Sequence, residues 1–215
     1  MRIIVLIKPG VELEESDACA VEQALRIARR RIDVQVSVLT AGPCECVHAL
    51  RAALALGADD AVHVADPRIP SHDALVLSRV LATTVRELGY DLVLCGASSE
   101  IPNLTALPAM VAARLGIPAL CHATCVDPAL VDLPALISVT ESTTPPRYPP
   151  FPAIAEARHK LLSTRTLNPD TLIPSAITIT DNVLHPRSTT VINADDDPHA
   201  AAVRLVDFLA EHRFI

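Results

Sequence analysis

Apolar residues follow two alternating periods along the first half of the chain. Residues 2–7 (RIIVLI) form a continuous apolar run, as a strand buried on both faces does. The next segment repeats its apolar residues at helical spacing, with Ser16 or Asp17 as the expected N-cap. The chain therefore opens with a strand followed by a helix.

The same alternation recurs three more times. It predicts strands over residues 34–40, 60–64 and 91–96, and helices after Pro43, after Ser71 and over 103–116 with Asn103 as cap. This βαβαβαβα order predicts an α/β fold, a doubly wound and mostly parallel sheet of the Rossmann-like kind. Ligands of such sheets bind beyond the carboxyl ends of the strands, where the strand order reverses.

The pattern changes after Gly116. ALISVT (135–140) predicts another strand, and a short helix is expected over 152–161. We divide the chain into an α/β nucleotide-binding-type domain, residues 1–161, and a C-terminal arm with a terminal helix, residues 162–215.

Most of that second part is polar and spaced by prolines. Its one strand-like piece is SAITIT (175–180). Asp197-Pro198 opens the last helix, whose apolar positions Val203, Val206 and Leu209 are expected to face inward. A segment without its own core can wrap a partner and gain burial there.

Charge and composition exclude some classes of function. The net charge of −7 and the sequence pI of about 5.6 argue against a nucleic-acid partner, which requires basic patches. No run reaches the roughly 18 apolar residues of a membrane span, and we expect a soluble, cytoplasmic protein. Six cysteines, none in a CxxC pair, are expected to be reduced, buried small side chains rather than metal ligands.

The residues do not predict a catalytic centre. The sequence contains neither a GxGxxG nor a GxxxxGK[ST] motif. His63 and His72 lack a matching carboxylate, and Ser98-Ser99-Glu100 is more typical of a solvated loop than of a hydrolase. We therefore expect no enzyme activity and no metal.

A nucleotide-sized cleft at the strand ends remains the binding hypothesis. The residues expected to line it are Leu6, Thr40, Ala41, Gly42, Gly96, Asn103 and Thr105. Small residues let a ligand approach the backbone, and a helix N-terminus attracts a phosphate. Gly42 and Asn103 are also ordinary helix-boundary residues, so both interpretations stay open.

The stretch PPRYPPFPAIAEARHK (145–160) resembles the recognition loop of the electron transfer flavoprotein β subunit, in which a Pro-Arg-Tyr triplet precedes an exposed apolar residue. Other blocks agree in order: RIIVLIKP, VEQALRIARR, VLTAGP with ALRAALALGADDAVHV, DLVLCG followed by Asn103-Leu104-Thr105, and the terminal DPHAAAVRLVDFLAEHRFI. The resemblance covers nearly the whole chain.

The resemblance implies an adenine-nucleotide α-hydrolase-like fold and a heterodimer. The α subunit of the family holds most of the FAD, and the β subunit covers one side of the flavin and commonly buries an AMP; in bifurcating relatives a second FAD takes that place. The pair carries electrons from flavin dehydrogenases to a further acceptor. Arg147, Tyr148, Phe151 and Ile154 would dock the dehydrogenase.

Several segments depart from the family pattern. Glu12–Asp17 replaces a longer insertion, the acidic run before Asn103 is reduced to Glu100, and residues 118–145 are abbreviated. Arg158, His159 and Lys160 replace a lysine cluster. The chain is thus expected to be a compact relative, altered at its flavin and AMP contacts more than in its fold.

Two other classes of protein share this architecture. A universal-stress-type adenine nucleotide-binding protein, acting as a homodimeric sensor, would carry a late Gly-x-x-Gly phosphate loop, which the sequence lacks. An enzyme of the nucleotide α-hydrolase group would need an SGGxDS-like loop after the first strand, where Lys8-Pro9-Gly10-Val11 stands.

Overall fold

The elements below come from a computed structural model that describes residues 1–99, 101, 104–127, 131–167, 173–175, 177, 191–194 and 197–214. Its strands are β1 (Arg2–Leu6), β2 (Gln35–Gly42), β3 (Asp60–Ala65), β4 (Leu92–Gly96), β5 (Ala119–Ala123), β6 (Ala135–Val139) and β7 (Leu162–Arg165). Its helices are α1 (Glu15–Arg30), α2 (Val47–Leu56), α3 (Ala74–Leu88), α4 (Leu107–Leu115), α5 (Phe151–Ala157) and α6 (Pro198–Glu211), with 3₁₀ turns at Cys44–Cys46 and Leu104–Ala106.

The described strands form one sheet in the order β5-β6-β4-β1-β2-β3-β7, and every neighbouring pair is parallel. The chain runs outward from β1 through β2 to β3 and then crosses to β4 on the other side of β1. The strand order therefore reverses between β1 and β4, which confirms the doubly wound α/β fold. In folds of this kind, ligands usually bind at the carboxyl ends of the two strands that flank the reversal.

Both faces of the sheet are covered. Along β1, Ile3 and Val5 pack into a core shared with α1 and α2, whereas Ile4 and Leu6 pack into a core shared with α3 and α4. Successive side chains of a strand point to opposite faces, so a continuous apolar run is what two separate cores require.

The chain separates into two compact units, Met1–Thr178 and Ile179–Ile215. In the second unit, the Asp197 carboxylate caps α6 by accepting bonds of 3.0 Å from the amides of His199 and Ala200. Val203 and Val206 are about half exposed, at 47% and 53%. The two side chains are therefore not buried in the chain by itself, contrary to the inward orientation expected of them. The division at residue 161 stays a prediction.

Two of the expected helix caps are wrong. α1 begins at Glu15, and Ser16 and Asp17 lie inside its first turn because their side chains bond to β1 and to the chain after β4 instead. α3 is capped by Asp73 and not by Ser71: its carboxylate accepts bonds from the two amides at the start of the helix. The expected cap of α4, Asn103, lies outside the described residues.

Two strands of the sheet carry too little pattern to be predicted. In β5 the first four residues are exposed, and β7 reads LSTR, a polar edge strand beside β3. β7 therefore extends the sheet at residues that we expected to belong to the irregular arm. The strand-like piece 175–180 lies largely outside the described residues. Within the described portion, no helix combines the length and apolar character needed to cross a membrane.

Candidate functional site

A buried lysine stands where the strand order reverses. Lys8 follows β1 and is 5% exposed, and its ammonium contacts a carboxylate oxygen of the fully buried Asp17 in α1. The Lys8 Nζ also lies 3.2 Å from Ser16 Oγ and 3.3 Å from Glu14 Oε2. The first turn of α1 and the segment before it thus enclose this cation.

Asp17 joins three parts of the sheet edge. One carboxylate oxygen accepts the Lys8 backbone amide at 2.8 Å, and the other accepts the Gly96 amide at the end of β4 at 3.2 Å. Burial raises the pKa of the Asp17 carboxyl above its ordinary value of 3.8, and the Lys8 ammonium opposes that rise. The cluster is a structural tie between β1, α1 and β4.

Gly96 is required by this packing. A Cβ on residue 96 would lie 2.6 Å from Asp17 Oδ1 and 2.7 Å from the carbonyl carbon of Ser16. At Gly42, where φ is +154°, a Cβ would lie 3.1 Å from Cys46 Sγ and 3.3 Å from Pro9 Cβ. At both positions the absence of a side chain leaves room for neighbouring atoms of the same chain, so these glycines do not by themselves indicate a ligand.

The other predicted cleft residues are divided between core and surface. Leu6, Thr40 and Ala41 are almost completely buried, at 2%, 0% and 1% exposed. Thr105 is exposed in the turn before α4, and Asn103 lies outside the described residues. Among the described atoms, the buried hydroxyl of Thr40 has no hydrogen-bond partner. Those of the predicted residues that the structure describes therefore do not line one open cleft, and the nucleotide site stays a prediction.

His63 on β3 pairs with Thr40 on β2 in the sheet. Its side chain is 3% exposed, and its Nε2 lies 3.2 Å from the carbonyl oxygen of Gly42. Burial lowers the pKa of His63 below its ordinary value of 6.5, although that hydrogen bond partly offsets the effect.

Two cavities flank the tie at the switch point. One of about 400 Å³ is lined by residues 9–15 and Ile101, with Glu12, Glu14 and Glu15 in its wall. The other, of about 280 Å³, is lined by Ala97, Ser98, Thr105, His122, Thr140 and Glu141. No lysine or arginine lines either cavity in the described portion.

These linings do not fit the phosphate of AMP. A phosphate in the larger cavity would face three glutamates, and such a group is normally held by cations or by amides of a helix N-terminus. The smaller cavity offers hydroxyl groups and the Glu141 carboxylate, which suit sugar hydroxyls better than a phosphate. Neither volume is large enough to enclose a dinucleotide such as FAD.

Exposed aromatic side chains lie on the proline loop, defined here as residues 143–150, and on the first residue of the helix that follows it. Tyr148 is 97% exposed, and Phe151, the first residue of α5, is 81% exposed. The exposure expected of Phe151 is thus confirmed, and Tyr148 also faces outward. Ile154, 42% exposed, lines an apolar groove of about 430 Å³ between the loop, α2 and α5.

Arg147 differs from its neighbours in the loop. Its guanidinium forms two parallel bonds with Glu22 on α1, Nε to Oε2 at 2.5 Å and Nη2 to Oε1 at 2.8 Å. Glu22 was not among the residues predicted from the sequence, although a glutamate on the apolar face of an amphipathic helix indicates a charged partner buried with it.

The cysteines contribute no recognisable metal site. All six are free thiols; Cys19, Cys46 and Cys95 are buried as expected, whereas Cys44, Cys121 and Cys125 are exposed, so that expectation was wrong for them. Among the described residues, no group of three or more His, Cys, Asp or Glu side chains is placed to hold a metal ion.

Fold and site together define a doubly wound α/β domain with a filled switch point and a proline-rich loop next to exposed aromatic residues. A family model, the electron transfer flavoprotein domain, matches residues 3–132. The chain therefore belongs to the electron transfer flavoprotein family, among its β-subunit-like members.

Its curated relatives carry the same name. The electron transfer flavoprotein subunit beta of Mycobacterium bovis is 35% identical over 177 residues, which cover 72% of this chain and 66% of that protein. The subunit beta of Syntrophomonas wolfei is 28% identical over 210 residues, covering 90% and 81%, and that of Sus scrofa is 29% identical over 176 residues, covering 72% and 69%. The chain thus spans slightly less than two thirds of the mycobacterial relative.

Proposed function

We propose that this chain is the β subunit of an electron transfer flavoprotein heterodimer, which carries electrons from flavin dehydrogenases to a further acceptor. The observation that carries the proposal is a family match over residues 3–132 together with a proline-stiffened loop whose aromatic side chains are exposed. An enzyme with its own bond-making chemistry is not needed to explain any described group.

FAD, held mainly by the α subunit, supplies the electron chemistry when the heterodimer is complete. The described residues of this chain contribute a rigid wall: the tie between Lys8 and Asp17 fixes the carboxyl edge of the sheet. In the heterodimer that edge would cover one side of the flavin and exclude water from it. This role requires the chain to be well ordered at the edge, and it needs no titrating group there.

Docking of a flavin dehydrogenase is assigned to the proline loop. Proline fixes φ, so a loop with prolines on both sides of its aromatic residue loses little conformational entropy when a partner binds it. Aromatic side chains on rigid stems are typical anchors of interfaces. Tyr148 and Phe151 would make the contact, with Ile154 at its margin.

The α subunit is the proposed permanent partner. Exposed apolar side chains in the C-terminal part support this: Ile177, Val191, Val203, Leu205, Val206 and Phe214 are each at least 41% exposed. A large exposed apolar surface usually marks an interface, and permanent complexes bury more than about 2,000 Å². Ile179, also expected to contribute, lies outside the described residues.

AMP binding stays a prediction with weaker support. Thr105 and the smaller cavity could receive a ribose, but the described residues supply no cation for the phosphate. Replacing Asn103 with Leu should lower nucleotide retention and leave the flavin colour largely intact. Chromatography of the nucleotides released by heat measures both. A supernatant with no nucleotide beyond one equivalent of FAD would show that the site has been lost.

Co-purification with the neighbouring gene product tests the proposal as a whole. We expect a heterodimer with the visible spectrum of bound flavin and about one FAD per pair. The assignment would be overturned if the chain were a monodisperse, stable monomer at micromolar concentration and did not bind a folded α subunit.

A further inference from the structure

The backbone of the proline loop has little to hold it in place. Pro145, Pro146, Pro149 and Pro150 lack an N–H group, and within the described structure residues 145–149 form no backbone–backbone hydrogen bond. A segment without ladder or helix bonds takes its position from its side chains.

Two side chains attach the loop to α1. The Thr144 hydroxyl is buried and accepts a bond of 3.0 Å from Arg26 Nη1. Its single hydrogen can go to the Thr143 carbonyl oxygen at 2.6 Å or to Gln23 Oε1 at 3.3 Å. Three residues later, Arg147 forms its fork with Glu22. Residues 22 and 23 of α1 are four and three positions before Arg26, the spacings at which helical side chains are neighbours, so both border Arg26.

The fork is the stronger of the two attachments. Glu22 is only 7% exposed and Arg147 is 26% exposed, so water competes weakly for either charge. Two parallel N–H···O bonds between a guanidinium and a carboxylate also fix orientation as well as distance. Arg26, 3.7 Å from Glu22 and half exposed, adds a single looser contact.

The attachment point determines where the aromatic residues point. Arg147 is directly followed by Tyr148, and only three residues separate it from Phe151 at the start of α5. Because Pro149 and Pro150 stiffen the connection, the direction set at Arg147 is transmitted to both rings.

We propose that Glu22 is a positioning residue for partner docking: through its fork to Arg147 it holds the proline loop so that Tyr148 and Phe151 stay exposed and correctly aimed. The inference rests on the docking role proposed above. It also reassigns Arg147, which the family resemblance had placed among the docking contacts, to the internal side of the loop.

Amide hydrogen exchange of the purified heterodimer tests the anchor without any dehydrogenase. In Glu22→Gln an amide N–H group faces the guanidinium donors in place of one carboxylate oxygen. We expect the amides of residues 153 and 154, which bond to the Pro150 carbonyl at the end of the loop, to exchange at least about tenfold faster, while those of α3 keep their rates. Arg147→Gln should give the same pattern. Arg147→Lys keeps the charge but loses the fork, so it should restore only part of the protection.

Glu87→Gln is the matched control. It removes an ion pair of similar length, with Arg165 at 3.1 Å, but both side chains are substantially exposed and lie away from the loop. We expect it to leave exchange at residues 153 and 154 unchanged, because exposed pairs contribute little.

Kinetics with a flavin dehydrogenase that reduces the wild-type heterodimer separate positioning from general stability. Glu22→Gln should raise the KM for the heterodimer about tenfold and leave kcat at saturation unchanged. Unaltered exchange at residues 153 and 154 in both Glu22→Gln and Arg147→Gln overturns the inference, as does faster exchange spread evenly over the chain. Faster exchange at these two residues with an unaltered KM keeps the anchor and overturns the docking function.

Discussion

Adding one methyl group at residue 96 tests how the switch point is filled. In Gly96→Ala the new Cβ would meet Asp17 Oδ1 at 2.6 Å and the carbonyl carbon of Ser16 at 2.7 Å. Real carbon atoms do not approach so closely, and one of the two neighbours is helix backbone, which cannot rotate away. The first turn of α1 must therefore move from β4 and stretch the bonds that Asp17 makes to Lys8 and Gly96.

Overpacking of a well-packed core costs about 1–3 kcal/mol. Because the displaced element also carries a buried ion pair, we expect a loss in the free energy of unfolding near the upper end, about 2–3 kcal/mol. For a chain of this size that corresponds to a fall in Tm of roughly 5–10 °C. Urea unfolding and a thermal scan of the purified heterodimer measure both quantities.

Gly10→Ala is the matched control. Its Cβ would lie 3.4 Å from the carbonyl oxygen of Glu12, which is ordinary contact, so stability should change by less than about 0.5 kcal/mol. If Gly96→Ala is as stable as Gly10→Ala, the tight approach of α1 to β4 is wrong and Gly96 is available to a ligand after all.

Three further changes probe separate parts of the chain. Lys8→Met leaves the Asp17 carboxylate buried without its cation and should cost about 3–5 kcal/mol in urea unfolding; a loss below about 1 kcal/mol would contradict the tie. His63 has a lowered pKa when folded, so below pH 6.5 the unfolded chain binds the extra proton and stability falls as the pH drops toward the folded pKa. In His63→Gln the free energy of unfolding should decrease less steeply as the pH falls. An equal pH dependence in the variant and the wild type would contradict the burial argument. Phe151→Ala should slow reduction of the heterodimer by the dehydrogenase about tenfold or more and leave the Tm unchanged. Ile32 is 90% exposed and lies away from the loop, so Ile32→Ala should change neither the rate of reduction nor the Tm. If Phe151→Ala instead unfolds the protein or loses flavin while the transfer rate stays normal, Phe151 belongs to the core.

The sequence predicted the parts of the fold that depend on periodicity. The run in β1 and the helical spacing of α1 are local signals, and both elements occur where these signals predict them, although α1 begins at Glu15, before its expected caps. β7 has no such signal, because a polar edge strand is specified by its neighbour β3 and not by its own residues.

The site was less predictable for a related reason. Gly42 and Gly96 allow two explanations from sequence, a ligand or a close approach of the chain itself, and only the position of α1 decides between them. Asp17 was expected to cap a helix since that is its common local use. A buried lysine nine residues away in sequence changed its role, and no local pattern reports that contact.

The filled switch point bears on where function can reside in this chain. In a doubly wound sheet the crevice at the strand ends is the usual ligand site, and here Lys8, Asp17 and Gly96 occupy it with the chain's own atoms. What the described surface offers instead is a rigid loop that presents two rings and is fixed from behind by Glu22. If both Lys8→Met and Glu22→Gln are made, the first should lower stability with little effect on the KM of the dehydrogenase for the intact heterodimer, and the second should do the reverse. The two residues would then separate the part of the chain that maintains the fold from the part that meets the partner.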